Sequence, residues 1–181
     1  CRMTHVFALA SMMGRPGAAA FVDHGITALR TVFRDAEHGG WFASVDPNGP
    51  VETGKGAYPH AFVILASASA TAAGRPGARE LLDEALAVST EHFWDEQAGM
   101  SVESWDRTFT TCEDYRGVNV NMHTVEAYLA AADVTGDRLW WDRANRIVER
   151  VVHGFARGNG WRIPEHFDAG WNPLLNYNKD S

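Results

Sequence analysis

The chain repeats itself about every 60 residues, and a repeat of that length restricts the possible folds more than any other feature of the sequence. Gly14-Arg-Pro-Gly17 recurs as Gly74-Arg-Pro-Gly77, and Thr135-Gly136-Asp137 takes the same place in a third round. Ahead of these turns, His5-Val-Phe-Ala-Leu-Ala, His60-Ala-Phe-Val-Ile-Leu-Ala and His123-Thr-Val-Glu-Ala-Tyr-Leu-Ala align as helix starts. Behind them a Gly and a Trp follow each time, as Gly40-Trp41, Gly99 with Trp105, and Gly160-Trp161. The apolar spacing on either side of each turn is helical. The pattern predicts three helical hairpins: Arg2 to Met13 with Ala18 to Phe33, Ala57 to Ala73 with Ala78 to Phe93, and Asn119 to Val134 with Arg138 to Phe155. Long loops rich in Gly, Pro and Asp are expected at 35–56, 95–118 and from 157 to the end.

Within the hairpins the helices differ in kind. Ala61 to Ala73 is built of alanines and other small or apolar residues, whereas its partner carries Arg79, Glu80, Asp83, Glu84 and Glu91. The first kind can pack on both sides and the second faces water. An inner and an outer ring of helices satisfies both, so the fold class is all-α, an α/α toroid. Three hairpins close only an arc, and a ring without an exposed apolar edge needs about twice as many. Residues 1–181 are therefore expected to be a single partial domain, half of an (α/α)6 barrel.

Composition excludes several functions. The net charge is −7 and the 16 Lys and Arg are scattered, which is the wrong electrostatics for a nucleic-acid partner. The longest apolar run, Ala61 to Ala73, is 13 residues diluted with Ser and Thr, too short to cross a bilayer. The two cysteines, Cys1 and Cys112, form neither a disulfide framework nor a CxxC pattern, and the default setting is cytoplasmic. The chain begins inside a helical pattern with no capping residue, so a preceding segment is expected.

The long loops all run from an outer helix to the next inner one and so emerge at one end, together with the inner-helix N-termini. That places Arg2, Tyr58, His60, Asn119, Asn121 and His123 at one mouth, where unpaired N–H groups and positive dipole ends suit oxygen-rich ligands. On a helix Asn119, His123 and Glu126 share one face. The loop residues Trp41, Trp105, Trp161 and Trp171 can stack on a sugar ring or, equally, anchor long loops. Each histidine at a helix start has a competing capping or core role. Glu165-His166-Phe-Asp168 looks like a metal or acid–base cluster, but its spacing fits no strong zinc pattern, and loop carboxylates commonly form turns.

Arg2-Met-Thr-His5, His38-Gly-Gly-Trp41, Lys55-Gly-Ala-Tyr58-Pro-His60-Ala-Phe, Tyr115-Arg-Gly-Val-Asn119-Val-Asn121-Met-His123-Thr-Val-Glu126-Ala and Pro164-Glu-His-Phe-Asp168 occur in order. Together they resemble the N-acylglucosamine 2-epimerase superfamily, nearest its branch of bacterial aldose–ketose isomerases acting on mannose. The resemblance covers the whole chain and implies an (α/α)6 barrel. It also implies a 1,2 proton shift between aldose and ketose through a cis-enediol, without metal or other cofactor, on a monosaccharide such as mannose or fructose. The family's two acid–base histidines belong to a C-terminal half that has no counterpart here, which would make this chain the N-terminal half. Arg2, Tyr58, Asn119 and His123 match residues that contact sugar oxygens. The resemblance assigns His123 to a reacting oxygen, Arg2 to the charge of the enediolate, and Tyr58 and Asn119 to hydroxyls. The alternatives are a sugar 2-epimerase of the N-acylglucosamine or cellobiose type, or a catalytically silent sugar-binding fragment. Oligomeric state is left open.

Overall fold

The structure, a computed structural model, describes residues 1–177. The last four positions of the expected final loop, 178–181, lie outside the described residues. Six α-helices follow in order: α1 Arg2–Met12, α2 Ala18–Thr31, α3 Ala57–Ala72, α4 Ala78–Val88, α5 Val118–Thr135 and α6 Arg138–Val148. They pair as three hairpins, α1 with α2, α3 with α4 and α5 with α6, and α3 packs between α1 and α5. The inner row is therefore α1–α3–α5 and the outer row α2, α4 and α6.

The central position of α3 explains its composition. Every residue from Ala61 to Ala70 is buried, because neighbours press on it from both sides. Alanines let the backbones approach closely, and the polar residues among them turn inward on the helix itself. Ser67, Ser69 and Thr71 each donate to a carbonyl one turn earlier, so none of these three hydroxyls is left unpaired. The outer helices carry the amphipathic pattern: α4 buries Leu81, Leu82, Ala85 and Leu86 and exposes Arg79, Glu80 and Asp83. At the two GRPG turns the chain reverses through two positive-φ residues, Gly14 and Gly17 in one and Gly74 and Gly77 in the other, so glycine at both ends of the motif has a steric cause. In the third turn Gly136 takes that conformation, and the Asp137 side chain accepts from the Leu139 N–H as the N-cap of α6.

Two features depart from the expected helices and loops. Two of the three outer helices end early as α-helix and continue as π-helix, Ser89–Phe93 after α4 and Glu149–Ala156 after α6. The two π segments begin at equivalent points of the repeat, 60 residues apart. The first carries Ser89 to Tyr128 of α5, where the two hydroxyls meet at 2.8 Å, and buries Phe93. The loops, in turn, hold short antiparallel ribbons. Lys55–Gly56 pairs with Ser104–Trp105, Arg116–Gly117 with His166–Phe167, and Trp94–Asp95 with Met100–Ser101. Two of these ribbons join one loop to the next, which stitches the mouth of the arc together.

A buried ion cluster locks the same mouth. Asp35 and Lys55 are 2% and 0% exposed, and the Lys55 ammonium donates to Asp35 Oδ2 and to the Gly39 carbonyl, each at 3.0 Å. Arg107, from the second loop, grips Asp35 with two hydrogen bonds of 2.8 and 3.1 Å. The Arg107 guanidinium and then the Lys55 ammonium hold the Asp35 carboxyl far below the usual carboxylate range. Removing one partner of such a group is costly because the remaining charge stays buried. Lys55→Met should lower unfolding free energy by about 3 kcal/mol in urea titrations. A carboxyl depressed by folding stabilises above its unfolded value, near pH 4, and that contribution is lost as pH falls below it. Asp35→Asn should therefore flatten the acid limb of the stability profile.

Candidate functional site

The site grows from the first turns of the three inner helices. Arg2 opens α1, Tyr58 lies in the first turn of α3, and Asn119 and His123 occupy the first two turns of α5. An Arg2 guanidinium nitrogen donates to the Tyr58 hydroxyl, and the guanidinium carbon stands 4.5 Å over the Phe62 ring. Because Tyr58 accepts from a cation that has no acceptor of its own, its hydroxyl proton is free for a ligand oxygen. The His123 ring stands edge-on to Tyr58 at 5.1 Å and tilted on Phe62 at 4.8 Å. On its own helix, His123 Nδ1 meets Glu126 Oε2 at 3.1 Å. Asn119, exposed and one turn before His123, borders a groove of about 380 Å³ with Tyr115, Met122, Ile163 and His166.

Arg2, Tyr58 and His123 are thus one connected group, and Asn119 stands on the same helical face as His123. Phe62 was missed in the sequence although its signal was present. Tyr58 and Phe62 are four apart on α3, so they share a face, and Phe62 forms the floor on which both Arg2 and His123 rest. The arrangement offers a fixed cation, a phenol donor, an amide and an imidazole to a ligand rich in hydroxyls.

His60 and Asn121 do not join this group, contrary to the placement expected from helix starts alone. Each lies two residues from a mouth residue, about 200° around the helix, and so faces the opposite side. His60 is 1% exposed; its Nδ1 donates to the Gly56 carbonyl at 2.6 Å and its Nε2 accepts the Trp41 N–H at 3.0 Å. Gly40 is required beside it, since a Cβ there would come within 2.7 Å of His60 Nε2. Asn121, fully buried, accepts from the Ser101 N–H at 2.7 Å and donates to the Ser101 and Gly117 carbonyls. Both residues tie loops to inner helices. His5 also has a structural partner, Ser69 Oγ at 2.7 Å.

Most of the loop tryptophans are anchors. Trp41 is 1% exposed with its indole N–H on the Leu29 carbonyl, Trp171 is buried, and Trp105 donates to the His92 carbonyl. Trp161 remains exposed. Within Glu165–Asp168 the two readings part. Asp168 closes a turn by accepting from the Gly170 and Asn172 N–H groups, while His166 Nδ1 lies 2.6 Å from the Tyr115 hydroxyl, whose pKa is pushed up to about 12, chiefly by burial. Among the described residues, no three His, Cys, Asp or Glu side chains converge as a metal site.

The family model for N-acylglucosamine 2-epimerase (GlcNAc 2-epimerase) matches residues 1–181. The chain belongs to this family. It is 55% identical, over 99% of its length, to a protein named D-mannose isomerase from Thermobifida fusca, and 51% identical to one of that name from Pseudomonas cannabina pv. alisalensis. It covers 44% and 43% of those proteins, so the chain spans less than half the length of these relatives. Among solved structures, a D-mannose isomerase superposes with a TM-score of 0.93 at 28% identity, over 99% of this chain and 46% of that one. A cellobiose 2-epimerase from Spirochaeta thermophila superposes at 0.86 and 22% identity, over 96% of this chain and 46% of that one, a likeness of fold. The three hairpins are accordingly about half of an (α/α)6 toroid of this family.

Burial drops the His60 pKa to about 4, so the ring is neutral when folded and takes a proton below about pH 6.5 when unfolded. Its contribution is whole above about pH 6.5 and is lost as pH falls toward 4, with a slope of at most about 1.4 kcal/mol per pH unit. The difference in urea-unfolding free energy between the protein and its His60→Gln variant should trace that slope. A flat difference would count against the neutral buried ring.

Proposed function

We propose that this chain is the oxygen-gripping, N-terminal half of a sugar aldose–ketose isomerase that interconverts mannose and fructose. The observation that carries the reading is the joining of Arg2, Tyr58 and His123 from three separate inner helices around Phe62, in a chain more than half identical to two proteins named D-mannose isomerase. In the reaction, a base removes the proton from C2 of the open-chain aldose while the carbonyl oxygen on C1 gains one, giving a cis-enediol. Reprotonation at C1 with loss of the proton from the C2 hydroxyl gives the ketose. Negative charge develops on oxygen along this path, and fixed donors must meet it. The Arg2 cation suits that charge, His123 engages a reacting oxygen, and Tyr58 and Asn119 orient neighbouring hydroxyls.

The proton-transferring pair belongs, on this reading, to the remainder of the toroid. Open apolar faces at both ends of the arc support a second half: Met3, Val6 and Leu9 are exposed on α1, and Met122, Val125, Val148 and Val152 border an apolar groove of about 210 Å³ at the α5–α6 end. The unpaired thiols of Cys1 and Cys112, and the lack of any helix long and apolar enough to cross a membrane among the described residues, are compatible with a cytoplasmic enzyme.

NMR of the products formed from mannose by the full-length protein tests the chemistry. Fructose is expected, and glucose as first product would replace isomerisation with 2-epimerisation, in which the proton returns to the same carbon from the other face. His123→Ala should cost on the order of 100-fold in kcat with the fold retained. Residues 1–181 alone should turn over mannose negligibly; robust turnover would overturn the division of labour between the two halves.

A further inference from the structure

We infer that Glu126 is a positioning residue for His123: its carboxylate takes the Nδ1 proton and so reserves the Nε2 lone pair for a sugar hydroxyl. The inference rests on the proposed function and sharpens it, because it sets the direction of the hydrogen bond His123 makes. The Nδ1–Oε2 contact is 3.1 Å, and an ionised carboxylate can only accept. The neutral ring must then carry its proton on Nδ1, whatever its other nitrogen does.

The surroundings leave no competing instruction. The rings packed on His123 are Tyr58, edge-on at 88°, and Phe62, tilted at 47°, and Arg2 is held by Tyr58 and Phe62. Nε2 has no hydrogen-bond partner among the described residues. With the ring packed against two aromatic side chains and one nitrogen assigned, the remaining polar function of His123 is its Nε2 lone pair. The helix register supplies the rest. Glu126 is one turn beyond His123 on the same face, so no loop has to be ordered to bring the pair together. His60 shows the same pattern of nitrogens used inside this fold, with Nδ1 donating to the Gly56 carbonyl and Nε2 accepting from the Trp41 N–H.

A pair three residues apart on a helix can also be a helix-stabilising contact worth only a few tenths of a kcal/mol. The two roles differ in what they change. A helix contact alters stability alone, whereas a positioning carboxylate alters the tautomer of His123 and acts on turnover only through it.

The test uses the full-length protein with 15N-labelled histidine in mildly alkaline buffer. Ring nitrogen shifts should show His123 protonated on Nδ1 in the parent and moved toward Nε2–H in Glu126→Ala. An Nε2–H ring in the parent, or an unchanged tautomer in the variant, would overturn the assignment. Kinetics give the second readout. Glu126→Ala should lower kcat for mannose by about tenfold or more with little change in KM, and the same substitution added to His123→Ala should cost nothing further. An equal loss in both backgrounds would mean that Glu126 acts independently of His123, against the inference. Near-normal turnover by His123→Ala would instead defeat the proposed site, and the tautomer shift would remain as the measure of the pairing itself.

Discussion

Everything in this structure hangs on the burial of α3 from both sides. An inner helix with neighbours on each flank cannot present large side chains in every direction, so from Ala61 to Ala70 it is small or apolar, and its serines bond back to their own helix. That close packing brings the first turns of α1, α3 and α5 side by side. Arg2 can then reach Tyr58, 56 positions away, and Tyr58 can meet His123. The same constraint fails at the ends of the arc, where α1 and α5 have one inner neighbour each and expose Met3, Val6 and Met122.

The mouth also depends on how the loops are held. Ribbon pairing between Lys55–Gly56 and Ser104–Trp105 and the Asp35–Lys55–Arg107 cluster fix the first two loops to each other. His60, Asn121 and Trp41 then fasten those loops to the inner helices and their outer partners. Asp35, Lys55, His60 and Asn121 are buried, so their polar contacts are costly to break. The candidate site residues are the exceptions. Arg2 and Asn119 remain exposed, and His123 keeps one ring nitrogen unassigned among the described residues.

The hairpins were legible because a helix writes its period and its stops locally: GRPG and TGD marked the turns, and the alanine-rich stretch marked the helix with two neighbours. The π segments after Val88 and Val148 were not legible, since the apolar spacing runs on through them and the change of hydrogen-bond step has no residue signature here. The two-residue ribbons were invisible for a related reason: alternation needs four or more residues to show, and two of the ribbons pair strands from different loops. Trp41 illustrates a third limit. Its choice between stacking platform and anchor depended on the Leu29 carbonyl, which local sequence does not place.

By itself the sequence determined the number of hairpins, the inner and outer roles of their helices, the family motifs and the residues gathered at one end. Tertiary structure decided which of them share one face of the mouth. Histidines that align across the repeat have separate fates: His5 binds Ser69, His60 is sealed behind Trp41, and His123 stands beside Tyr58 with Glu126 on its Nδ1. The physical reason is rotational. A shift of two positions along a helix turns a side chain to the opposite face, and which face is the mouth is set only when the neighbouring helices have packed.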